Sequence, residues 1–266
     1  MGLATIDPTR LVFIGGLHRS GTTALGRILA DHPAISGFEG TGAKEDEGQH
    51  LQQSYLPAAA HGGPGRFARR RRAHLTEDLG DPALARESLL EAWSPHWDLS
   101  RPLLVEKSPP NLIMGRYLQA VFPGCSLIMI LRHPVVVALS TKKWAKRQSL
   151  ERLVEHWFIA HDILRADSKH LDRLHLVHYE HLIDQPDQTL RTIAEFIGVD
   201  TPLAADRVQS TRSDSYLDRW RDMADGSPLD RLAYRRIIAR FGERAAAFGY
   251  DIEHPDKPPA LTNRTR

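Results

Sequence analysis

The stretch Leu11-Val12-Phe13-Ile14-Gly15-Gly16-Leu17-His18-Arg19-Ser20-Gly21-Thr22-Thr23 decides the fold. Four apolar residues in a row, closed by two glycines, suit a strand covered on both faces. Leu25, Ile28 and Leu29 then recur at helical spacing, and His32-Pro33 ends the run. Strand, glycine-hydroxyl turn and amphipathic helix together make the unit from which parallel sheets with helices on both faces are built.

The rest of the chain continues the alternation. Residues 34–38 read as a short strand, 82–93 as a helix and 103–105 as a buried strand ending at Glu106-Lys107. Residues 111–122 read as a helix, 127–131 as the clearest strand, and Pro134 opens another helix at a favoured position. A long helix carries the stripe Leu150, Leu153, Val154, Trp157, Phe158 and Leu164. Residues 174–178 read as a strand, 189–197 as a helix stopped by Gly198, and 229–248 as a last helix. Residues 39–75 run from Gly-rich through acidic to basic, which predicts a long functional loop with some helix over 45–55. The expectation is an α/β fold: one parallel sheet flanked by helices, with residues 1–9 as a leader, 10–250 as the domain and 251–266 as a polar, proline-containing tail that frays.

Composition narrows the function classes. The 266 residues are 26% charged and 41% hydrophobic, as in a folded globular chain. Thirty-five Lys+Arg against 33 Asp+Glu leave a formal charge of +2. That is too weak a balance to imply nucleic acid, though it allows a local anion site. One cysteine, Cys125, excludes an internal disulfide framework and a cysteine-rich metal cluster. No apolar run approaches a membrane span, and the first sixteen residues lack the pattern of a secretory signal. A cytoplasmic location is the expectation. Among the fourteen histidines, the close pair His178 and His181 forms no metal-ligand pattern with an acidic partner.

In sheets of this kind ligands sit at the carboxyl ends of the strands. Against the phosphate-loop template G-x-x-x-x-G-K-[ST], the first strand end offers Gly16, Gly21 and Thr23, with Thr22 in the lysine position. Backbone N–H groups and a helix N-terminus remain available to an anion. The lysine that would bridge the β- and γ-phosphates of a nucleoside triphosphate is missing, and the loop's own cation is Arg19. Strand 127–131 ends in Arg132-His133, where a typical NTPase offers an acidic metal ligand. Arg132 at that strand end and Ser140 two turns into the next helix suit a second phosphate, with Lys142 and Lys143 close behind. The two loops together suggest one ligand with anions at two ends.

The segment from His18 to Thr23 resembles the 5′-phosphosulfate loop of the sulfotransferases, P-[KR]-x-G-T-T, with His18 in place of proline. Arg132 to Ser140 resembles their 3′-phosphate motif, R-[DH]-P-x-x-x-x-x-S. Tyr179-Glu180 resembles the family's Y-E segment, and Trp220-Arg221 after Tyr216 its C-terminal part. The resemblance covers residues 10–250. It implies the P-loop-like sulfotransferase fold and the donor 3′-phosphoadenosine 5′-phosphosulfate (PAPS), which leaves as 3′-phosphoadenosine 5′-phosphate (PAP). It implies that Arg19, Ser20, Gly21, Thr22 and Thr23 hold the phosphosulfate, Arg132 and Ser140 the 3′-phosphate, and Tyr179 the adenosine or that phosphate. Arg212 and Ser213 would cover the nucleotide.

Sulfuryl transfer needs an activated acceptor oxygen and stabilisation of charge on the leaving phosphate. Arg19 suits the second task. Lys107, in Val105-Glu106-Lys107-Ser108-Pro109, resembles the lysine-bearing strand end of the tyrosylprotein branch and suits the bridging oxygen; a salt bridge to Glu106 or another acid is its plainer role. The general base should be a Glu or His within reach of the acceptor. Glu47, Glu45, Glu39 and, as in the cytosolic branch, His50 are the candidates in that order.

Residues 40–100 build the acceptor pocket in this reading. The acceptor is a small molecule, carbohydrate, lipid or natural product, with a peptide tyrosine less in keeping with the missing secretory signal. His18 either loosens the loop or touches the acceptor. The run Arg69-Arg70-Arg71-Arg72 is a solvated stretch or meets an acidic acceptor or partner. Trp93, Trp97, Trp144, Trp157 and Trp220 are core by default, with Trp93 or Trp97 free to line the pocket. A phosphate-loop small-molecule kinase is the rival enzyme and a nucleotide-binding module without catalysis the rival class. Thr22 and Arg132-His133 argue against the first, Arg19 and Lys107 against the second.

Overall fold

The computed structural model describes residues 6–206, 208 and 213–260. Five parallel strands form one sheet in the order β2-β3-β1-β4-β5: β1 (Leu11–Gly15), β2 (Ile35–Gly37), β3 (Leu103–Lys107), β4 (Ser126–Leu131) and β5 (Leu174–His178). The continuous apolar runs have a direct cause. Leu11 and Phe13 on β1, with Leu127, Met129 and Leu131 on β4, pack into one buried cluster; Val12 and Ile14, with Ile128 and Ile130, pack into another. Alternate residues point to opposite faces, and both faces are covered.

Helix α1 (Thr22–Ala30) and α7 (Pro186–Ile197) cover the second face through Leu25, Ile28, Leu190 and Ile193. The larger cluster on the first face takes Trp93 from α2 (Pro82–Trp93), Leu118 from α3 (Gly115–Val121), Val137 from α4 (Pro134–Lys142) and Trp157 from α5 (Leu150–Asp167). Asp81 caps α2 and Ser149 caps α5 through their side chains.

Several elements differ from the sequence reading. Residues 111–122 are not one helix. A 3-10 stretch, Pro109–Ile113, precedes α3, and Asn111 in it donates Nδ2 to Ile14 O (3.1 Å) and to the Glu106 carboxylate at Oε2 (2.6 Å). Tyr179–Asp184 forms a short helix, α6, and Asp214–Asp225 forms α8 ahead of α9 (Pro228–Ala246). Residues 39–75 contain five 3-10 turns and no α-helix. Residues 251–260 are held in place rather than frayed: Trp220 Nε1 donates to Ile252 O, Ala260 N to Gly249 O, and Ile252 is buried. No helix among the described residues is long and apolar enough to cross a membrane.

Register fixes what the site inherits. Ile14 on β1 pairs with Lys107 on β3, and Gly15 with Met129 on β4. The phosphate loop, the Lys107 strand end and the Arg132 turn therefore leave the sheet side by side.

Candidate active site

The loop after β1 turns through two left-handed residues, Arg19 (φ 74°) and Gly21 (φ 102°). At Gly21 a Cβ would stand 2.5 Å from the Tyr179 ring, so only glycine fits between loop and α6. Ser20 N donates to Leu17 O (2.9 Å) and closes the turn. Helix α1 begins at Thr22 with no side-chain cap, so its first-turn amides and positive dipole end face the loop. The Ser20 hydroxyl is buried and has no protein partner.

The β4 side meets this loop directly. Arg19 Nε donates to Ser140 Oγ (2.8 Å). Arg132 donates to Arg19 O (2.9 Å) and to Ser213 Oγ (2.7 Å), and its guanidinium lies 4.1 Å from the Tyr179 ring centroid. Trp157 Nε1 donates to Arg132 O, and Glu180 accepts from His133 N and Tyr250 Oη, which locks the turn after β4 to α6. Arg19, Arg132, Ser140, Tyr179 and Ser213 thus gather at one place although up to 194 positions separate them. Arg212 lies outside the described residues.

Lys107 closes the other side. Its Nζ donates to Glu45 O (2.8 Å) and stands 3.4 Å from both Thr23 Oγ1 and Glu47 Oε1. The ion-pair partner is Glu47 and not Glu106, and both members of the pair are buried. Gln49 Nε2 donates to Glu47 Oε2 (2.5 Å), and His50 Nε2 stands 3.7 Å from the same oxygen.

A cavity of about 480 Å³ opens beside Thr23, Glu45 and Glu47, the partners of Lys107. Arg19, Thr22, Thr23, Glu45, Glu47 and His50 line it, and Ala58, Pro64, Pro109 and Trp144 give it apolar walls. Glu39 is exposed and lines a separate recess of about 220 Å³ with Arg27, Asp31, Asp46, Glu45 and Lys107. Of the four base candidates, the large cavity brings together Glu47, Glu45 and His50.

His18 lines the large cavity edge-on to Phe67, with ring centroids 5.7 Å apart. Burial, with Lys44, Lys107 and His50 nearby, pushes its imidazole down to about 3, so the ring is neutral. Trp144 is 58% exposed, under the Arg19 guanidinium at 4.9 Å, and is not core. Trp93 and Trp97 are buried and donate their Nε1 protons to Gly48 O and Val105 O. Arg69 pairs with Glu155 at 2.8 Å, while Arg70, Arg71 and Arg72 are exposed. Gln49, which orients the buried Glu47 carboxylate, escaped the sequence reading. Only its place beside the Glu45–Glu47 cluster pointed to it. Among the described residues no group of three or more His, Cys, Asp and Glu is placed to hold a metal ion.

A lysine-free phosphate loop after the central strand, an arginine–serine pair after its neighbour and a cation at a third strand end make a phosphate-loop-like α/β fold with an anion-binding edge. Residues 11–202 match the sulfotransferase family, and the chain belongs to that family. The protein-tyrosine sulfotransferase of Drosophila melanogaster is 26% identical over 197 residues, covering 71% of this chain and 38% of the fly protein. Protein-tyrosine sulfotransferase 2 of Gallus gallus is 24% identical over 287 residues, covering 96% of this chain and 74% of the chicken protein. The chain therefore spans well under half the length of one of these relatives and about three quarters of the other. Among solved structures, a sulfotransferase from Mycobacterium avium superposes with a TM-score of 0.54 at 16% identity, over 92% of this chain and 78% of that one. The sulfotransferase domain of a Synechococcus olefin synthase does so with 0.52 at 20%, over 88% and 95%. These two share the fold.

Proposed function

We propose that the protein moves a sulfuryl group from PAPS to a hydroxyl or amine acceptor by in-line attack, without a divalent cation. One observation carries the reading. The Lys107 ammonium lies 3.4 Å from the phosphate-loop hydroxyl of Thr23 and 3.4 Å from the Glu47 carboxylate. Donor loop and base candidate thus share one cation at the edge of a cavity large enough for an acceptor.

The residues fit the donor. Ser20 Oγ is buried without a partner and the α1 amides are open, which suits the phosphosulfate end. Arg132, Ser140 and Tyr179, with Ser213, suit the 3′-phosphate and adenosine end. In the reaction Glu47 takes the acceptor proton and the acceptor oxygen bonds to sulfur. The bond from sulfur to the 5′-phosphate oxygen breaks, and PAP leaves with the electron pair. Lys107 and Arg19 stabilise the negative charge that gathers on that oxygen. Family membership and the missing loop lysine disfavour the kinase alternative.

The acceptor in this reading is a small molecule, carbohydrate, lipid or natural-product hydroxyl entering the cavity of about 480 Å³. The curated relatives are named for protein tyrosine, which is the further acceptor class to screen. Lys107→Ala tests the core of the reading. PAP binding, measured by calorimetry, should stay within a few-fold, while PAP release from PAPS with 2-naphthol or water as acceptor falls about 100- to 1,000-fold, as for loss of one preorganised charge-stabilising donor. Undiminished release would refute the role of Lys107 and the site built around it.

A further inference from the structure

Glu106 precedes Lys107 on β3, and its side chain is fully buried. Its Oε1 accepts from Gly48 N (2.9 Å) and Ser108 Oγ (2.5 Å), and its Oε2 from Asn111 Nδ2 (2.6 Å). Ser108 Oγ in turn accepts from Gln49 N (3.0 Å). The backbone of the segment that follows Glu47 is therefore tied to this carboxylate at two successive amides. The approach is close by design of the sequence: a Cβ on Gly48 would stand 2.5 Å from Glu106 Oε1. Trp93 Nε1 donates to Gly48 O from the other side, so both polar groups of that residue are held.

The tie passes straight to the reaction cavity. Gln49, whose amide Ser108 holds, donates Nε2 to Glu47 Oε2 and accepts Ala58 N on Oε1. Lys107 needs no such help, because sheet pairing with Ile14 sets its place. A buried carboxylate is a costly way to fill a core position, and an apolar side chain of similar size is often neutral or better for stability. Its distinctive property is that it accepts only and offers several lone pairs, which matches three donors converging on one point.

We infer that Glu106 is a positioning residue of the proposed reaction, holding Gly48 and Gln49 so that the Glu47 carboxylate stands at the cavity edge beside Lys107. This rests on Glu47 as the base of the proposed transfer. Lys107 on the same strand, Glu47 on the tied segment and the buried Tyr55 are the ionisable groups that face Glu106. Burial pushes the Glu106 carboxyl up to about 7, against the donors from Ser108 and Asn111 and the Lys107 charge. The donors from Gly48, Ser108 and Asn111 and the Lys107 charge work against burial and favour the ionised form, in which both oxygens only accept.

The test is a double-mutant cycle read on PAP release from PAPS, with water or 2-naphthol as acceptor, alongside PAP affinity. Glu106→Gln should lower the first-order release rate about 10- to 100-fold, the scale of a misplaced reacting group. PAP affinity should stay within two-fold. In a Glu47→Gln background the same change should cost less than three-fold, because the residue it positions is already disabled. Ser108→Ala, which cuts only the Gln49 tie, should show the same pattern at smaller size and serves if Glu106→Gln does not fold. Equal losses in both backgrounds, or PAP affinity falling in step with rate, would overturn the inference. An unchanged rate in Glu47→Gln alone would take down the base assignment and this inference together, whereas loss of PAP binding by the unsubstituted protein would take down the sulfotransferase reading itself.

Discussion

The two halves of the site are built in different ways. The donor half, residues 16–23 with the turns after β4 and β5, is mostly a set of strand ends: apart from Ser213, each residue assigned to the donor lies within nine positions of the last residue of a strand. The acceptor half, residues 39–75, has no α-helix or strand of its own, and long-range side-chain bonds hold its shape. Glu106 holds Gly48, Ser108 holds Gln49, and His156 Nε2 accepts from Ala68 N across 88 positions. Backbone geometry makes the first half, and it can be read from spacing. Side chains borrowed from elsewhere make the second, and spacing cannot show them.

That contrast sets the predictions. The largest effect belongs to the acceptor half. Glu47→Gln should lower transfer by about 100-fold or more, the scale of a lost general base, while Glu39→Gln, the third candidate by sequence, should change it less than three-fold because its side chain lines the other recess. Rates with 2-naphthol and PAPS decide between them, and a larger loss from Glu39→Gln would reverse the assignment. In the donor half, Arg132→Ala and Arg19→Ala should each weaken PAP binding by about 1.5–3 kcal/mol, the range for hydrogen bonds to charged groups, and Arg132→Ala, which lies outside the acceptor cavity, should leave the acceptor KM unmoved. Unchanged affinity in both would dissolve the distinction between the halves.

The remaining prediction concerns the frame that both halves share, and it is read on stability and not on rate or affinity. Burial pushes His18, His156 and His161 down to about 3 and His133 and His178 to about 4. Each binds its proton more readily unfolded than folded, so the stability it contributes is complete above about 6.5 and is lost as the pH falls from there toward 3–4. Glu106 and Glu180, both raised by burial, run the opposite way. Five histidines at up to about 1.4 kcal/mol per pH unit each should outweigh two carboxyls. Urea melts from pH 7.5 to 5 should show stability falling below pH 6.5, and a flat profile would contradict the buried, neutral histidines.

The sheet was legible because β1 and β4 are buried on both faces and so read as unbroken apolar runs. The donor loop was legible because glycine and hydroxyl spacing is a local requirement of the turn. Residues 111–122 misled because Asn111, a tolerable helix residue by pattern, is spent on Ile14 O and Glu106. Glu47 could not be separated from Glu45, Glu39 and His50, since what distinguishes it is the position of Lys107 and Gln49 in space. Trp144 was misread by the default that aromatics are core. Its neighbours Lys142, Lys143, Lys146 and Arg147 carried the opposite signal, a polar helix end beside a cavity.

The most direct test of the central claim is calorimetric titration of the protein with PAP in the absence of metal, with ATP and Mg²⁺ in parallel. A donor site made of Arg19, Arg132, Ser140 and Tyr179 predicts tight PAP binding and little of ATP. Tight ATP–Mg²⁺ binding with little of PAP would mean that the loop after β1 serves a nucleoside triphosphate, and the sulfuryl-transfer account would be wrong.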